Sequence, residues 1–337
     1  MVSRAYKMIG IALALCAALC LAACGQSNSG ASGSSGAKPA AQSNGSQRVV
    51  IGTLATEDIL PMWVAEEEGL FKEAGLDVEI HIFQSATELI AGVVSGEVDL
   101  AMTDPMVSAA IVANSGVDLR VEWITLGTTA KQGRFGIMTS PDSGITSLAD
   151  LKGKGIGVGS NTILEYVMDK LMERAGIAKE DIVVEEIQKL PVRYQEMQSN
   201  SVAAAALPGS LLSLGESQGC ILLADDTQGD NISQSIMVAR ADFLGKGNGT
   251  AIVEALKGVW DDAAKRINAN PESYRALLVS KANLSEAIAD SYPISEYPTC
   301  QLPTNAMIDP VLAWMQEKGY LEKGLSYDQS TGAFKLS

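Results

Sequence analysis

The chain has 337 residues, with 40 Asp and Glu against 25 Lys and Arg. The resulting net charge of −15 excludes a role built on holding nucleic-acid phosphates. At 47% hydrophobic and 19% charged it has the composition of a soluble α/β protein, long enough for one large core or two modest ones. Its 5% aromatic content is poor material for a ligand site made of stacked rings.

The first 23 residues read as a leader. Arg4 and Lys7 form a basic start, Met8 to Leu21 is an apolar run too short to span a bilayer comfortably, and Leu21-Ala22-Ala23-Cys24 is a small-residue cleavage site. This arrangement resembles a bacterial lipobox, which implies cleavage before Cys24 and lipid attachment to its sulfur; an ordinary cleaved signal peptide is the alternative. Residues 24–47, nearly all Gly, Ser, Ala, Asn and Gln, cannot bury enough apolar surface to fold. As a flexible coil they would reach on the order of 25–30 Å from the membrane. Of the five cysteines only Cys220 and Cys300 then remain, either paired in an oxidising compartment or kept as two free thiols.

From Val49 the chain punctuates itself. Val49 to Leu54 is a short β-branched strand, Pro61 suits the first turn of a helix that Gly69 breaks late, and Gly75 turns into a strand, Leu76 to Phe83. A helix Ala86 to Val94 ends at Gly96, and Val98 to Met102 completes β-α-β-α-β, the building block of a doubly wound sheet. A helix Pro105 to Asn114 and a strand Leu119 to Leu126 follow. The small, polar and aperiodic Gly127 to Gly133 reads as a first crossing to another lobe.

The second half repeats the outline. After Phe135 to Thr139, a turn at 141–144 and a short helix ended by Gly153, a strand Gly155 to Gly159 leads to a helix Thr162 to Arg174. A strand Ile182 to Ile187, a helix Pro191 to Gln198 and a strand Val202 to Leu207 complete the second unit. After Ser210 to Glu216 and the strand Cys220 to Ala224, the polar Asp225 to Gln234 is a return crossing and Ile236 to Ala239 rejoins the first sheet. The remainder is expected to be largely helical, with an amphipathic Ala251 to Ile267, a helix opened by Pro271 and a last one, Asp309 to Lys318. The predicted organisation is a leader (1–23), a lipidated Cys24 with linker (24–47), one lobe from 48–128 with 234–337, and a second lobe of 129–233.

The segment Pro61…Ala65-Glu66…Gly69-Leu70-Phe71-Lys72…Gly75-Leu76-Asp77-Val78, with Gly96-Glu97-Val98-Asp99-Leu100-Ala101, resembles the NMT1/THI5-like solute-binding proteins of ABC importers. That group includes nitrate, sulfonate, taurine and thiamine-pyrimidine binders, and the similarity runs from about Arg48 to the C-terminus. The resemblance implies the two-lobed, type II periplasmic-binding-protein-like α/β fold, each lobe a doubly wound sheet flanked by helices and joined by two hinge crossings. It further implies a monomer that hands a small molecule to a permease and its ATPase, lipid-anchored on the outer face of the cytoplasmic membrane, or periplasmic in a two-membrane cell.

Ligands of open parallel sheets bind beyond the strand carboxyl ends, where helix N-termini also point. The expected ligand residues are therefore Leu54, Ala55 and Trp63; Thr103 and Asp104; Thr128, Thr129 and Lys131 at the crossing; Ser160, Asn161, Thr162 and Glu165; and Pro208. Thr103, Ser160 and Thr129 should line one shared cavity. Each has a plainer reading: Ser160, Asn161 or Thr162 as a helix cap, Glu165 as an acid favouring a helix dipole, Trp63 and Tyr166 as core. Glu57, Asp58, Asp104 and Glu165 oppose Lys131, Arg134 and Arg193 around the cleft. That balance favours a small polar molecule bearing nitrogen donors, with a sulfonate or taurine-like solute as the alternative.

No catalytic set, metal site or cofactor is expected. Gly153 to Gly159 fails both nucleotide-loop patterns, since Ser160 stands where the dinucleotide fingerprint needs Gly or Ala and no Gly-Lys-Ser/Thr occurs. The only histidine, His81, lies mid-strand and reads as a packing or surface residue, and His/Cys metal spacing is missing. The cysteine-rich motif of a fungal pyrimidine-synthesising relative is also missing, so binding is favoured over an enzyme.

Overall fold

Twelve short strands, most of them buried on both faces, pair into two sheets. The computed structural model describes residues 47–282 and 284–336, within one compact unit. The leader, Cys24 and all of the linker but Gln47 lie outside the described residues. The strands are β1 (Arg48–Leu54), β2 (Asp77–Phe83), β3 (Leu100–Thr103), β4 (Leu119–Leu126), β5 (Phe135–Thr139), β6 (Gly155–Val158), β7 (Val183–Glu186), β8 (Ala204–Pro208), β9 (Ile221–Asp225), β10 (Ser235–Arg240), β11 (Leu325–Asp328) and β12 (Ala333–Leu336). The helices are α1 (Leu60–Glu67), α2 (Leu70–Glu73), α3 (Ala86–Ser95), α4 (Pro105–Ser115), α5 (Ile163–Arg174), α6 (Leu190–Gln198), α7 (Gly209–Ser217), α8 (Ala241–Leu244), α9 (Gly249–Ala269), α10 (Arg275–Lys281) and α11 (Asn305–Lys318).

The seven-stranded sheet runs β11-β12-β4-β10-β3-β1-β2 and the five-stranded sheet β7-β6-β8-β5-β9. In both, the first strand of the repeated unit sits between its two parallel successors: β1 between β2 and β3, β6 between β7 and β8. In both, the fourth strand arrives from the other sheet and lies antiparallel to the third: β10 against β3, β5 against β8. The two halves share one winding.

Alternation decides what each strand buries. Along β10, Met237 and Ala239 pack with Trp123, Trp260 and Leu256 under α1 and α9, while Ile236 and Val238 pack on the opposite face with α4 and α11. A strand buried on both faces reads in sequence as an unbroken apolar run. Two details differ from the sequence reading. The helix after Pro61 is two helices, because Gly69 takes φ +76 between α1 and α2. The C-terminal remainder is not all helix: β11 and β12 form an antiparallel hairpin joined to β4 through Ala333 and Arg120. Four-residue strands are too short to leave a periodic signal.

The chain passes between the sheets twice, after β4 and after β9, and the two passages are tied side by side. Gly127 accepts a 2.6 Å bond at its carbonyl from Asn231 Nδ2. Asp226 accepts from Phe135 N at 2.8 Å and from the Ser233 hydroxyl. Gly127 has φ +92, and a Cβ there would lie 2.1 Å from the Ser233 carbonyl oxygen, so only glycine lets the passages touch. Cys220 and Cys300 are free thiols in different apolar clusters. His81 lies on the edge strand β2, stacked on Phe83 and 3.2 Å from Glu97.

Candidate functional site

The carboxyl ends of β1, β3 and β8 open onto one cavity between the sheets, with about 640 Å³ of non-atom space, part of it open to solvent. Its walls are Leu54, Thr56, Asp58, Ala86, Met102, Thr103, Asp104 and Ser235 from the larger sheet's side, and Phe135, Thr162, Ile163, Leu164, Gln188, Leu190, Arg193 and Pro208 from the other. A second hollow of about 570 Å³ shares Leu54, Thr56, Leu190 and Pro208 and adds Ala55, Gln84 and Ser210.

Asp104 joins the two walls. As N-cap of α4 it accepts from Val107 N at 2.8 Å with one carboxylate oxygen. Its other oxygen accepts from Ile163 N, the first residue of α5, at 3.1 Å. A single carboxylate thus caps a helix on each side of the cavity, and α5 takes its cap from the opposite wall rather than from Ser160, Asn161 or Thr162. Burial pushes Asp104 up to about 6, against backbone N–H bonds that pull the other way.

Next to it lies a carboxyl pair. Glu57 and Asp58, on the single 3-10 turn Glu57–Ile59, are both buried. Glu57 Oε1 accepts from the Tyr292 hydroxyl at 2.5 Å, and Asp58 Oδ2 accepts from the Ser235 hydroxyl. Burial pushes Asp58 up to about 7, reinforced by the charge of Glu57, and burial likewise raises Glu57. The first residue of α7 comes down on this pair: a Cβ on Gly209 would lie 3.0 Å from Tyr292 Oη and 3.1 Å from Glu57 Oε1.

Across the cavity stands Arg193, 2% exposed. Its guanidinium donates to the carbonyls of Ile187 (2.8 Å), Ala206 (2.9 Å) and Gln188 (3.3 Å), and burial lowers it to about 10. No carboxylate among the described residues forms an ion pair with it, and its charge is met by these carbonyl dipoles and, at longer range, by Glu186.

The structure brings five of the sequence-derived residues to this cavity, Leu54, Thr103, Asp104, Thr162 and Pro208, and Ala55 to the adjoining hollow. It turns the others away. Trp63 is core on α1, 1% exposed. Thr128 bonds Gln132 within the crossing, and Thr129 and Lys131 stay in that same loop, off the cavity wall. Ser160 bonds Glu186 through its hydroxyl and its backbone N–H. Asn161 takes φ 59, its N–H donating to Glu165 at 2.6 Å. Glu165 accepts from Tyr320 Oη at 2.7 Å and pairs with Lys318 at 2.8 Å, an anchor for the end of α11 rather than a ligand group. Thr103 therefore lines the cavity without Ser160 and Thr129. Arg134 is held by Asp225 and Glu216, and Tyr166 packs edge-on against Trp314. Asp58 and Arg193 were legible only as charges near the cleft. Met102 and Phe135 look like ordinary core in sequence.

A family model described as NMT1/THI5 like matches residues 56–273. The chain belongs to that family. Among curated relatives, the arginine-binding extracellular protein ArtP of Bacillus subtilis is 26% identical over 232 residues, covering 66% of this chain and 79% of its own. Among solved structures, the alkanesulfonate-binding protein SsuA of Xanthomonas axonopodis, bound to MOPS, superposes with a TM-score of 0.70 at 16% identity. That match covers 82% of this chain and 94% of that one. The periplasmic nitrate-binding protein NrtA of Synechocystis gives 0.64 at 13% identity, covering 82% and 83%. These superpositions establish the periplasmic-binding-protein fold for this family member.

Proposed function

We propose that the chain is the extracytoplasmic solute-binding component of an ABC importer, taking a small polar organic molecule into the cavity between its sheets and passing it unaltered to a permease. The observation that carries this is Asp104: one carboxylate bonded to helix N-termini on both walls, so that approach of the lobes and completion of the site are the same event. Residues 48–128 with 234–337 form one lobe and 129–233 the other, and the paired crossings at Gly127 and Ser233 are the hinge between them. Lipid on Cys24 would tether the protein, a second acyl chain making the anchor stable. It acts as a monomer.

The named relatives bind sulfonate, nitrate and arginine, which differ in charge, so kinship does not choose the solute. The carboxyls facing the cavity favour a molecule that offers nitrogen donors. A thermal-shift screen of the mature protein against pyrimidines, amino acids, taurine, sulfonates and nitrate tests this. A ligand at a hundred times its Kd adds about 2.7 kcal/mol of stability, and a screen in which none of these classes shifts the midpoint counts against solute capture. An enzyme acting in the same cavity is distinguished by recovering the bound molecule: return of an altered product would replace the binding reading.

A further inference from the structure

We propose that the cavity takes a solute carrying a positive charge, a protonated amine or an amidinium, which seats against the Asp58 carboxyl, with the Glu57 carboxyl buried beside it, in exchange for a proton. This deepens the solute-capture reading and rests on it.

The carboxyl pair contains an unmet acceptor. Glu57 Oε2 is sealed from solvent and has no hydrogen-bond partner among the described residues. Leaving such an oxygen unpaired is costly, and the other oxygen of Glu57 is the one that holds Tyr292. Beside it, only one oxygen of Asp58 is engaged, by Ser235.

The groups facing the pair come from every element around it. They are Asp104 from the junction of β3 and α4, Ser235 from β10, Tyr292 and Tyr297 from the segment before α11 and Gly209 from α7, with Arg193 from α6 lining the same cavity as Asp58. Tyr297 spends its hydroxyl on the Glu57 carbonyl at 2.7 Å, not on the carboxylate. Arg193 is the one cation among them, and it is turned to three carbonyls, out of ion-pair range of either acid. Two buried carboxyls, Asp58 and Asp104, thus share the cavity with one spoken-for guanidinium.

Adjacent buried carboxyls with no cation between them hold at least one proton, because two like charges in a site of low polarity repel strongly. The raised values of Glu57 and Asp58 agree with that. A cation arriving from the cavity at Asp58 supplies the missing charge and a donor for the oxygen that Ser235 leaves free. The carboxyl then releases its proton to solvent and the resulting carboxylate pairs with the solute. A neutral N–H donor would satisfy the oxygen and leave the proton in place; an anion would face repulsion from Asp58 and Asp104.

Calorimetry on the wild-type mature protein decides. The probes are agmatine and putrescine as cations, cytosine as a neutral donor, and ethanesulfonate and nitrate as anions, each titrated at pH 6.5 in two buffers of different protonation enthalpy. The expected result is binding of a cationic probe with release of up to one proton, and an affinity that rises between pH 5.5 and 7.5 by up to about tenfold per pH unit. Asp58→Asn should lower that affinity at least tenfold and abolish the proton release. If Asp58→Asn does not fold, the wild-type proton count remains decisive. Cation binding without proton release overturns the proposal. So does binding of cytosine or of the anions alone, which leaves solute capture standing. Binding of none of the five counts against both.

Discussion

Replacing Asp104 by Asn separates two jobs that one side chain performs. The carboxylate accepts two backbone N–H bonds with its two oxygens, from Val107 at 2.8 Å and from Ile163 at 3.1 Å. An amide has one accepting oxygen and one donating nitrogen, and Asn is as good an N-cap as Asp. The oxygen stays with Val107, three residues away on the same helix, and the amide nitrogen is left facing the N–H of Ile163, donor against donor. A hydrogen bond to a charged group contributes about 1.5–3 kcal/mol, so the balance between lobes together and lobes apart should shift by roughly 10- to 100-fold. Stability should move the other way. Raising a carboxyl from 3.8 to about 6 means that its ionised form costs the folded state ~3 kcal/mol at neutral pH, and Asn carries no such charge. D104N is therefore expected to melt at or above the wild-type temperature while binding its solute 10- to 100-fold more weakly and scattering X-rays as a more open particle. Wild-type affinity together with a wild-type scattering curve would refute the assignment of Asp104 as the tie between the walls.

Other outcomes follow from the same geometry. Asp58, Asp104 and Asp226 all have folded values raised into the range of about 6 to 7, so the stability they lend is full below their ordinary range near 3.8 and is lost as pH rises through 6–7. The strongly lowered carboxyls, Asp242 and Asp328, titrate far below that window. Without added solute the thermal midpoint should thus fall between pH 5 and pH 8, by an amount worth a few kcal/mol; a flat or rising profile would contradict the burial of these acids. Gly127→Ala puts a Cβ 2.1 Å from the Ser233 carbonyl in a backbone that already needs positive φ. Chemical denaturation should show a loss of more than about 2 kcal/mol, and a fully stable variant would mean that the crossings do not pack as described. Lys318→Met leaves Glu165, 1% exposed, with its Tyr320 and Asn161 donors but no cation. Urea midpoints should register a loss of about 2–4 kcal/mol, with solute affinity changed less than threefold because Glu165 lies off the cavity.

Much of the architecture is legible in the sequence. Gly75, Gly96 and Gly176 mark helix ends, Pro61 and Pro105 mark helix starts, and the β-branched runs between them are short enough to be strands and nothing else. The two crossings showed as aperiodic polar stretches, since a segment that belongs to neither core has no face to pattern. The C-terminal hairpin escaped because Leu325–Asp328 and Ala333–Leu336 have too few residues for an alternation to declare itself.

The cavity was legible in position and illegible in detail. Placing residues at strand carboxyl ends found Leu54, Thr103, Asp104, Thr162 and Pro208, because the backbone itself delivers those positions. It does not bring Ser160, Glu165 and Trp63 to the wall, because side-chain direction around a helix start is set by what packs there. Glu165 turns to Lys318 and Tyr320, 153 and 155 residues further along the chain, and Ser160 turns to Glu186. Local pattern therefore determined the elements, their order and the repeated winding, since propensity and periodicity act within a few residues. The tertiary structure alone decided which acids face the cavity, which are neutralised elsewhere, and that one aspartate caps a helix on either wall. Those outcomes depend on charges and donors brought together from distant stretches, and nothing in the neighbouring sequence encodes the meeting.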